Sequence, residues 1–224
     1  MPLRPQLLAE IQQVLGPSLI PSLTSASAAN DIYEAYLFAL ICEAATAEGA
    51  TVAFRSRTQA SPSNFIFRTS PGYITSTRHD YGYAVIEFLN KPLLEAHVGV
   101  RIAGASMVLH ECDVSVLLQD EAELCRNATN NVAPRATKVI ISVEAKFYDS
   151  SLGLHLGRAF LGFTMDVYAF RSFFVINRAS QSIERLLSHK KRSWDHNIQP
   201  QNATDVVRLR NAFQTAFKDF KARY

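Results

Sequence analysis

His110-Glu111-Cys112-Asp113-Val114-Ser115-Val116-Leu117 and Val139-Ile140-Ile141-Ser142-Val143-Glu144-Ala145-Lys146-Phe147-Tyr148 are the two stretches on which fold and chemistry turn. Each carries a short apolar β-type run, of valine and leucine in the first and valine and isoleucine in the second, the pattern of buried strands. A charge inside such a run costs several kcal/mol unless something compensates it. Alternate side chains of a strand share a face, so Glu144 and Lys146 project together while Val143, Ala145 and Phe147 point the other way. An aspartate delivered by a neighbouring strand, Asp113, completes an Asp/Glu/Lys cluster. A divalent metal, with the lysine and an anionic substrate beside it, would supply the compensation. The competing expectation is a solvent-facing cross-strand ion pair. The flanking Val, Ile and Phe residues favour a central strand, where such exposure is disfavoured.

Outward from these runs, residues 3–15 read as a short amphipathic helix closed by Gly16-Pro17, and residues 18–29 as a connector. Residues 31–47 are apolar almost all round, which predicts a largely buried helix stopped at Gly49. Residues 51–57 and 64–69 alternate and read as a hairpin closed by Gln59-Ala60-Ser61-Pro62-Ser63. Strands are expected at 83–89, 97–102 and 107–118, followed by a polar loop over 119–138. Residues 152–168 read as a helix, 172–177 as a strand and 180–191 as a helix. A loop containing Trp194 then leads to a closing helix at 204–222, with Val206, Leu209, Phe213, Ala216, Phe217 and Phe220 on one stripe. This order predicts an α/β fold with a mixed sheet. An antiparallel meander carries the acids, and a helical crossover leads to Phe173–Ile176. The crossover is right-handed if those strands are parallel. One domain is expected overall: a helix and connector over 1–29, a core over 30–180 and C-terminal helices over 181–224 packed on it.

At 224 residues and 48 % hydrophobic, the chain has enough apolar surface for a full core without disulfides. Its three cysteines, Cys42, Cys112 and Cys125, have no CxxC spacing, which fits a reducing cytoplasm and argues against structural zinc. No apolar run approaches the ~18 residues that span a bilayer, and the opening residues lack a signal layout, so a cytoplasmic protein without membrane contact is expected. The net charge of +3 permits a nucleic-acid partner without demanding one. GxSxG, P-loop and GxGxxG patterns are absent, which leaves serine hydrolase, NTPase and dinucleotide readings unsupported.

With Asp113 as first acid and Glu144-Ala145-Lys146 as the E-x-K element, the chain resembles the PD-(D/E)xK nuclease superfamily. The resemblance covers roughly residues 30 to 180, and it departs from the pattern at Cys112, where a proline is usual. It implies a restriction-endonuclease-like mixed sheet flanked by helices and a metal-dependent nuclease that hydrolyses phosphodiester bonds, DNA favoured over RNA. It also implies Mg²⁺, with Mn²⁺ substituting, held by Asp113, Glu144 and the Ala145 carbonyl. Lys146 would orient the attacking water or stabilise the charged transition state, and a further acid comes from the preceding helix, where Glu34 is the candidate. Restriction or anti-phage defence is the implied setting, with a separate protein supplying specificity or activation. The alternatives are a dimeric resolvase or repair nuclease on branched DNA, and a non-catalytic nucleic-acid-binding or scaffold protein of the same fold.

Several residues carry two readings each. Glu34 lies on a face with Leu37, Phe38 and Ile41, pointing into a site, yet Asp31-Ile32-Tyr33-Glu34 also reads as a capping box. Glu111 shares the face of Asp113 and either assists a metal or ends a strand in solvent. His97 and His110 sit on strands expected to pair and are assigned hydrogen-bonded structural roles. Glycines 153, 157 and 162 let the helix that follows Lys146 pack closely on the sheet. His155 and Arg158 are neighbours on that helix and either contact the nucleic acid or form a polar stripe. Lys190, Lys191 and Arg192 beside Trp194 suit phosphate contacts and base stacking, or simply answer a helix dipole.

Overall fold

The structure, a computed structural model, describes residues 3–150 and 152–224. In chain order the elements are α1 (Leu3–Leu15), β1 (Ile20–Pro21), α2 (Ala29–Ala47), β2 (Thr51–Ser56), β3 (Asn64–Phe65), β4 (Gly82–Glu87), β5 (Leu94–Ala103) and β6 (Leu109–Leu118). They continue with α3 (Gln119–Asn127), β7 (Val139–Lys146), α4 (Leu154–Asp166), β8 (Arg171–Ile176), α5 (Gln181–His189), β9 (Ser193–Asp195) and α6 (Ala203–Arg223). The fold is α/β. A seven-stranded mixed sheet runs β2-β4-β5-β6-β7-β8-β9. It is antiparallel as far as β7 and parallel across β7, β8 and β9.

Helix α2 is buried on nearly every side, from Ile32 to Ala45. Its apolar perimeter lets it lie between the sheet and the stripe of α6, whose Leu209, Phe213, Phe217 and Phe220 are all buried with it. A second core, built on Phe160, Phe163, Phe174, Ile183 and Leu187, joins α4 and α5 to β7 and β8. Among the described residues, no helix is long and apolar enough to cross a membrane.

The central strands change face at the position that matters. Val114 packs in the core under α2, whereas Cys112, two residues earlier, packs in the core under α4 and α5. Regular pleating would put both on one side. The inversion falls on Asp113 and on Gly99, which stands across from it between the pairs Val98↔Val114 and Val100↔Cys112. Gly99 has φ +62°, a conformation that glycine adopts at no steric cost.

Four expectations are corrected. The hairpin over 51–69 does not form. β2 pairs antiparallel with β4, while β3 pairs parallel with β1 in a separate two-stranded sheet. Phe65 and Phe67 are drawn instead into an aromatic cluster with Phe38, their rings each 5.7 Å from it. The Phe65 ring lies so close to Gly82 that a Cβ there would meet it at 2.6 Å. The polar stretch after β6 contains α3, whose Ala122 and Cys125 face inward. The Trp194 segment is a strand, β9, on the parallel edge of the sheet. Gly157 packs α4 on Ile183 and Leu186 of α5 rather than on the sheet, while Gly153 caps α4 and Gly162 meets nothing.

Candidate active site

The ladder between β6 and β7 ends at Val114↔Val143, although β7 runs on to Lys146. Asp113 fills the gap where the strands part. Its Oδ2 accepts the Ala145 N–H at 2.7 Å and the Lys146 ammonium at 3.1 Å. Lys146 Nζ also lies 2.7 Å from Oε1 of Glu144. The side chains of Asp113, Glu144 and Lys146 are 7 %, 19 % and 22 % exposed, so the trio is largely desolvated but reachable. Glu144 and Lys146 alternate with Val143 and Ala145, which belong to the core under α2. The three residues singled out as the site are therefore in contact. A solvent-facing pair does not describe them.

Cys112, at the position of the usual proline, is buried, and its thiol lies 3.2 Å from the Val114 carbonyl. Burial foremost, then Asp113, holds that thiol well above the usual range, so it is inert at neutral pH.

Helix α2 starts at Ala29 with Ala28 as N-cap and no side-chain cap, so the capping-box reading of Glu34 is corrected. Glu34 lies beyond the first turn. Burial, then repulsion from Asp113 and Asp31, pushes its carboxyl up to about 9, with Lys146 pulling the other way. Burial and then Asp113 also raise Glu144, again opposed by Lys146. Glu111 is exposed and stands opposite Arg101 in the ladder; partial burial and Asp113 raise it too. Burial alone would lower Lys146, but Asp113 and Glu144 more than reverse it, and its pKa is raised. The cluster thus holds more carboxylates than its one ammonium answers.

Among the described residues no three His, Cys, Asp or Glu side chains are grouped closely enough to hold a metal ion by themselves. The donor set still fits Mg²⁺, which binds through one or two carboxylates and retains waters. Oδ1 of Asp113 and Oε2 of Glu144 have no hydrogen-bond donor among the described residues. The Ala145 amide faces Asp113, and in a strand the carbonyl of the same residue faces the same neighbour.

The remaining candidates lie elsewhere. His155 and Arg158 are exposed on α4. Lys190, Lys191 and Arg192 are exposed at the turn after α5. Trp194 stacks on His196, with ring centroids 5.0 Å apart, and donates to Ser188 at 2.9 Å. Arg192, Trp194 and His196 share an open pocket of about 510 Å³ with Arg208, which is held by Asp195 at 2.9 Å. The sequence assigns no site role to Arg208 or His196: Arg208 lies on α6 and reaches this pocket only through its pair with Asp195, and His196 directly follows β9. His97 is bonded to Glu95 at 2.9 Å and His110 to Asp166 at 2.7 Å, the structural roles expected. A pocket of about 630 Å³ lies between α1, α2 and β2 and holds the Arg210–Glu43 pair. It does not include the acidic cluster, and chemistry rather than volume picks the site.

No family model, curated protein or solved structure matches the chain.

Proposed function

We propose that the chain is a metal-dependent nuclease of the PD-(D/E)xK type, with a restriction-endonuclease-like core, acting on phosphodiester bonds and preferentially on DNA. The observation that carries this reading is the convergence of Asp113 with Glu144 and Lys146 where β6 and β7 part. The parallel pairing of β7 and β8 on either side of α4 agrees with it.

Asp113 and Glu144, with the Ala145 carbonyl, would hold Mg²⁺ or Mn²⁺. When bound, the ion supplies charge neutralisation at the scissile phosphate and an acidified water. Lys146 keeps its proton at neutral pH, so it serves as a fixed cation and hydrogen-bond donor aimed at developing negative charge, not as a base. Burial and the neighbouring acids favour the protonated form of Glu34 in the metal-free protein. A cation entering the cluster favours its ionised form and releases that proton. A defence effector paired with a specificity partner is the biological setting this reading favours.

One observation favours a second reading. Lys146 already bridges both acids, as it would in an ion triad whose role is purely structural, on a non-catalytic nucleic-acid-binding scaffold. Incubation with Mg²⁺ or Mn²⁺ and linear, circular, single-stranded and branched DNA and RNA separates the two. Cleavage that a chelator stops supports the nuclease; binding without cleavage of any substrate supports the scaffold.

A further inference from the structure

Arg68 is an interior cation with no acid among the described residues to answer it. The residue is 7 % exposed, and it takes part in none of the ion pairs among the described residues. Buried charges are normally paired. Its guanidinium lies 3.8 Å from the centre of the Tyr81 ring, which offsets part of the cost. Burial lowers its pKa to about 10, so it stays charged at neutral pH. The backbone is shaped around it. A Cβ at Gly72 would stand 2.7 Å from Nη1, and one at Gly99 would stand 3.1 Å from the Arg68 Cβ.

Arg68 lines a small, mostly enclosed cavity with Arg57, Ser76, Tyr81, Tyr83, His97 and Arg126. Arg126 is already paired with Glu95, which also holds His97 at 2.9 Å and accepts from Gln119 at 3.2 Å. Burial lowers the pKa of His97 despite Glu95, which keeps the ring neutral at neutral pH. Asp80, the nearby acid on the connecting loop, accepts from Ser56 and Thr58. Two guanidiniums, Arg57 and Arg68, therefore bring charge to this cavity with no carboxylate among the described residues committed to either. Arg57 is exposed, and among the described residues its side chain is held by the Thr75 carbonyl alone. The cavity has about 10 Å³ of free space, room for roughly one water. Arg57 at the rim can swing aside at the loss of one exposed hydrogen bond, admit a group larger than a water, and return its guanidinium onto it.

We propose that this cavity receives a terminal phosphoryl group. Two planar guanidinium forks, with Ser76 and two tyrosines in the lining, suit an anion with several terminal oxygens better than a carboxylate with two. Walls on most sides admit the end of a molecule and not a chain passing through. The group comes from a free mononucleotide or from a nucleic-acid end. The site uses none of Asp113, Glu144 or Lys146, so it stands or falls apart from the proposed function. It is nevertheless adjacent, because Gly99, against which Arg68 packs, faces Asp113 across the β5–β6 ladder.

Calorimetric titration of inorganic phosphate into the full chain tests it. Saturable binding is expected, weakened about ten- to a hundredfold by Arg68→Met and by Arg57→Ala, the worth of one charge-assisted pair. Asp113→Asn should bind as the parent does. Arg57 is on the surface, so Arg57→Ala decides the matter if Arg68→Met fails to fold. Absence of saturable binding, or equal binding by the parent and both arginine variants, overturns the proposal. So does phosphate binding lost in Asp113→Asn but kept in the arginine variants. Competition then separates the sources. Displacement by a 5′-phosphorylated oligonucleotide but not its 5′-hydroxyl twin assigns nucleic-acid ends, and displacement by AMP alone assigns free nucleotides. Equal displacement by both oligonucleotides would mean that internal phosphates bind, against an end-group receptor.

Discussion

Replacing Lys146 with methionine keeps most of its length and removes its charge. Asp113 and Glu144 would then face each other without the ammonium that now sits 3.1 Å and 2.7 Å from them. Breaking a buried ion pair by deleting one partner costs about 3–5 kcal/mol. The lysine side chain is 22 % exposed and water screens part of the loss, so about 2–4 kcal/mol is expected at neutral pH. The sign with pH follows from Glu144, whose pKa is already raised by burial and Asp113 against the pull of Lys146. Losing that pull raises it further, so the variant relieves its strain by taking up a proton. The stability gap between parent and variant should therefore be widest at neutral pH and close as pH falls through the carboxylate range. Urea unfolding followed by the fluorescence of Trp194, the single tryptophan, measures both. Mn²⁺ should narrow the gap at neutral pH by taking the place of the missing charge. A loss below about 0.5 kcal/mol, within the range of an ordinary surface substitution, with no pH dependence would refute the idea that Lys146 is the internal counter-ion of this cluster.

Lys146→Ala should leave Mn²⁺ affinity nearly unchanged while slowing single-turnover cleavage by orders of magnitude, since a fixed cation acts chiefly in the transition state; parallel loss of both would make the lysine structural. Between about pH 4.5 and about 9, folded Glu34 holds a proton that the unfolded chain releases. It therefore lowers stability as pH rises, by at most ~1.4 kcal/mol per pH unit, and Glu34→Gln should flatten that slope in chelator. Calorimetry in buffers of different ionisation enthalpy should show proton release when Mn²⁺ binds the parent and less release in Glu34→Gln. Neutralising Lys190, Lys191 and Arg192 together should weaken nucleic-acid binding alike for all sequences, reducing the slope of log affinity against log salt by roughly 0.7–0.9 for each phosphate no longer neutralised. Trp194→Ala should cost single-stranded ligands about 1–3 kcal/mol if the indole stacks on a base, and an unchanged affinity would leave it as the partner of His196 alone.

The acids and the strands that carry them were legible because a charge embedded in an apolar run is costly unless the fold compensates it. The buried helix over Ala29–Ala47 was legible for a similar reason: a helix apolar on every side has nowhere to go but inside. What the residues could not give were partners distant in sequence. Phe65 alternates as a hairpin strand would, and only Phe38 and Phe54, brought by α2 and β2, make its burial elsewhere more favourable. Asp31 and Glu34 have capping-box spacing, but the helix has already begun at Ala29, and no local rule forbids that earlier start. The α3 segment hid behind its charges, since Glu121 is satisfied by Arg135 and its apolar side is only Ala122 and Cys125. Arg68 gave no signal at all, because an arginine's burial and lack of an acid are properties of the fold.

As proposed, Asp113 and Glu144 form a phosphodiester-cleaving centre. The direct measurement is DNA cleavage in Mg²⁺ or Mn²⁺ by the parent and by Asp113→Asn and Glu144→Gln, each shown to be folded by its urea transition. Removing one of several mutually repelling carboxylates leaves the fold intact, so both variants should unfold cooperatively and yield no product where the parent cleaves. Cleavage at the parental rate by either folded variant would contradict the assignment.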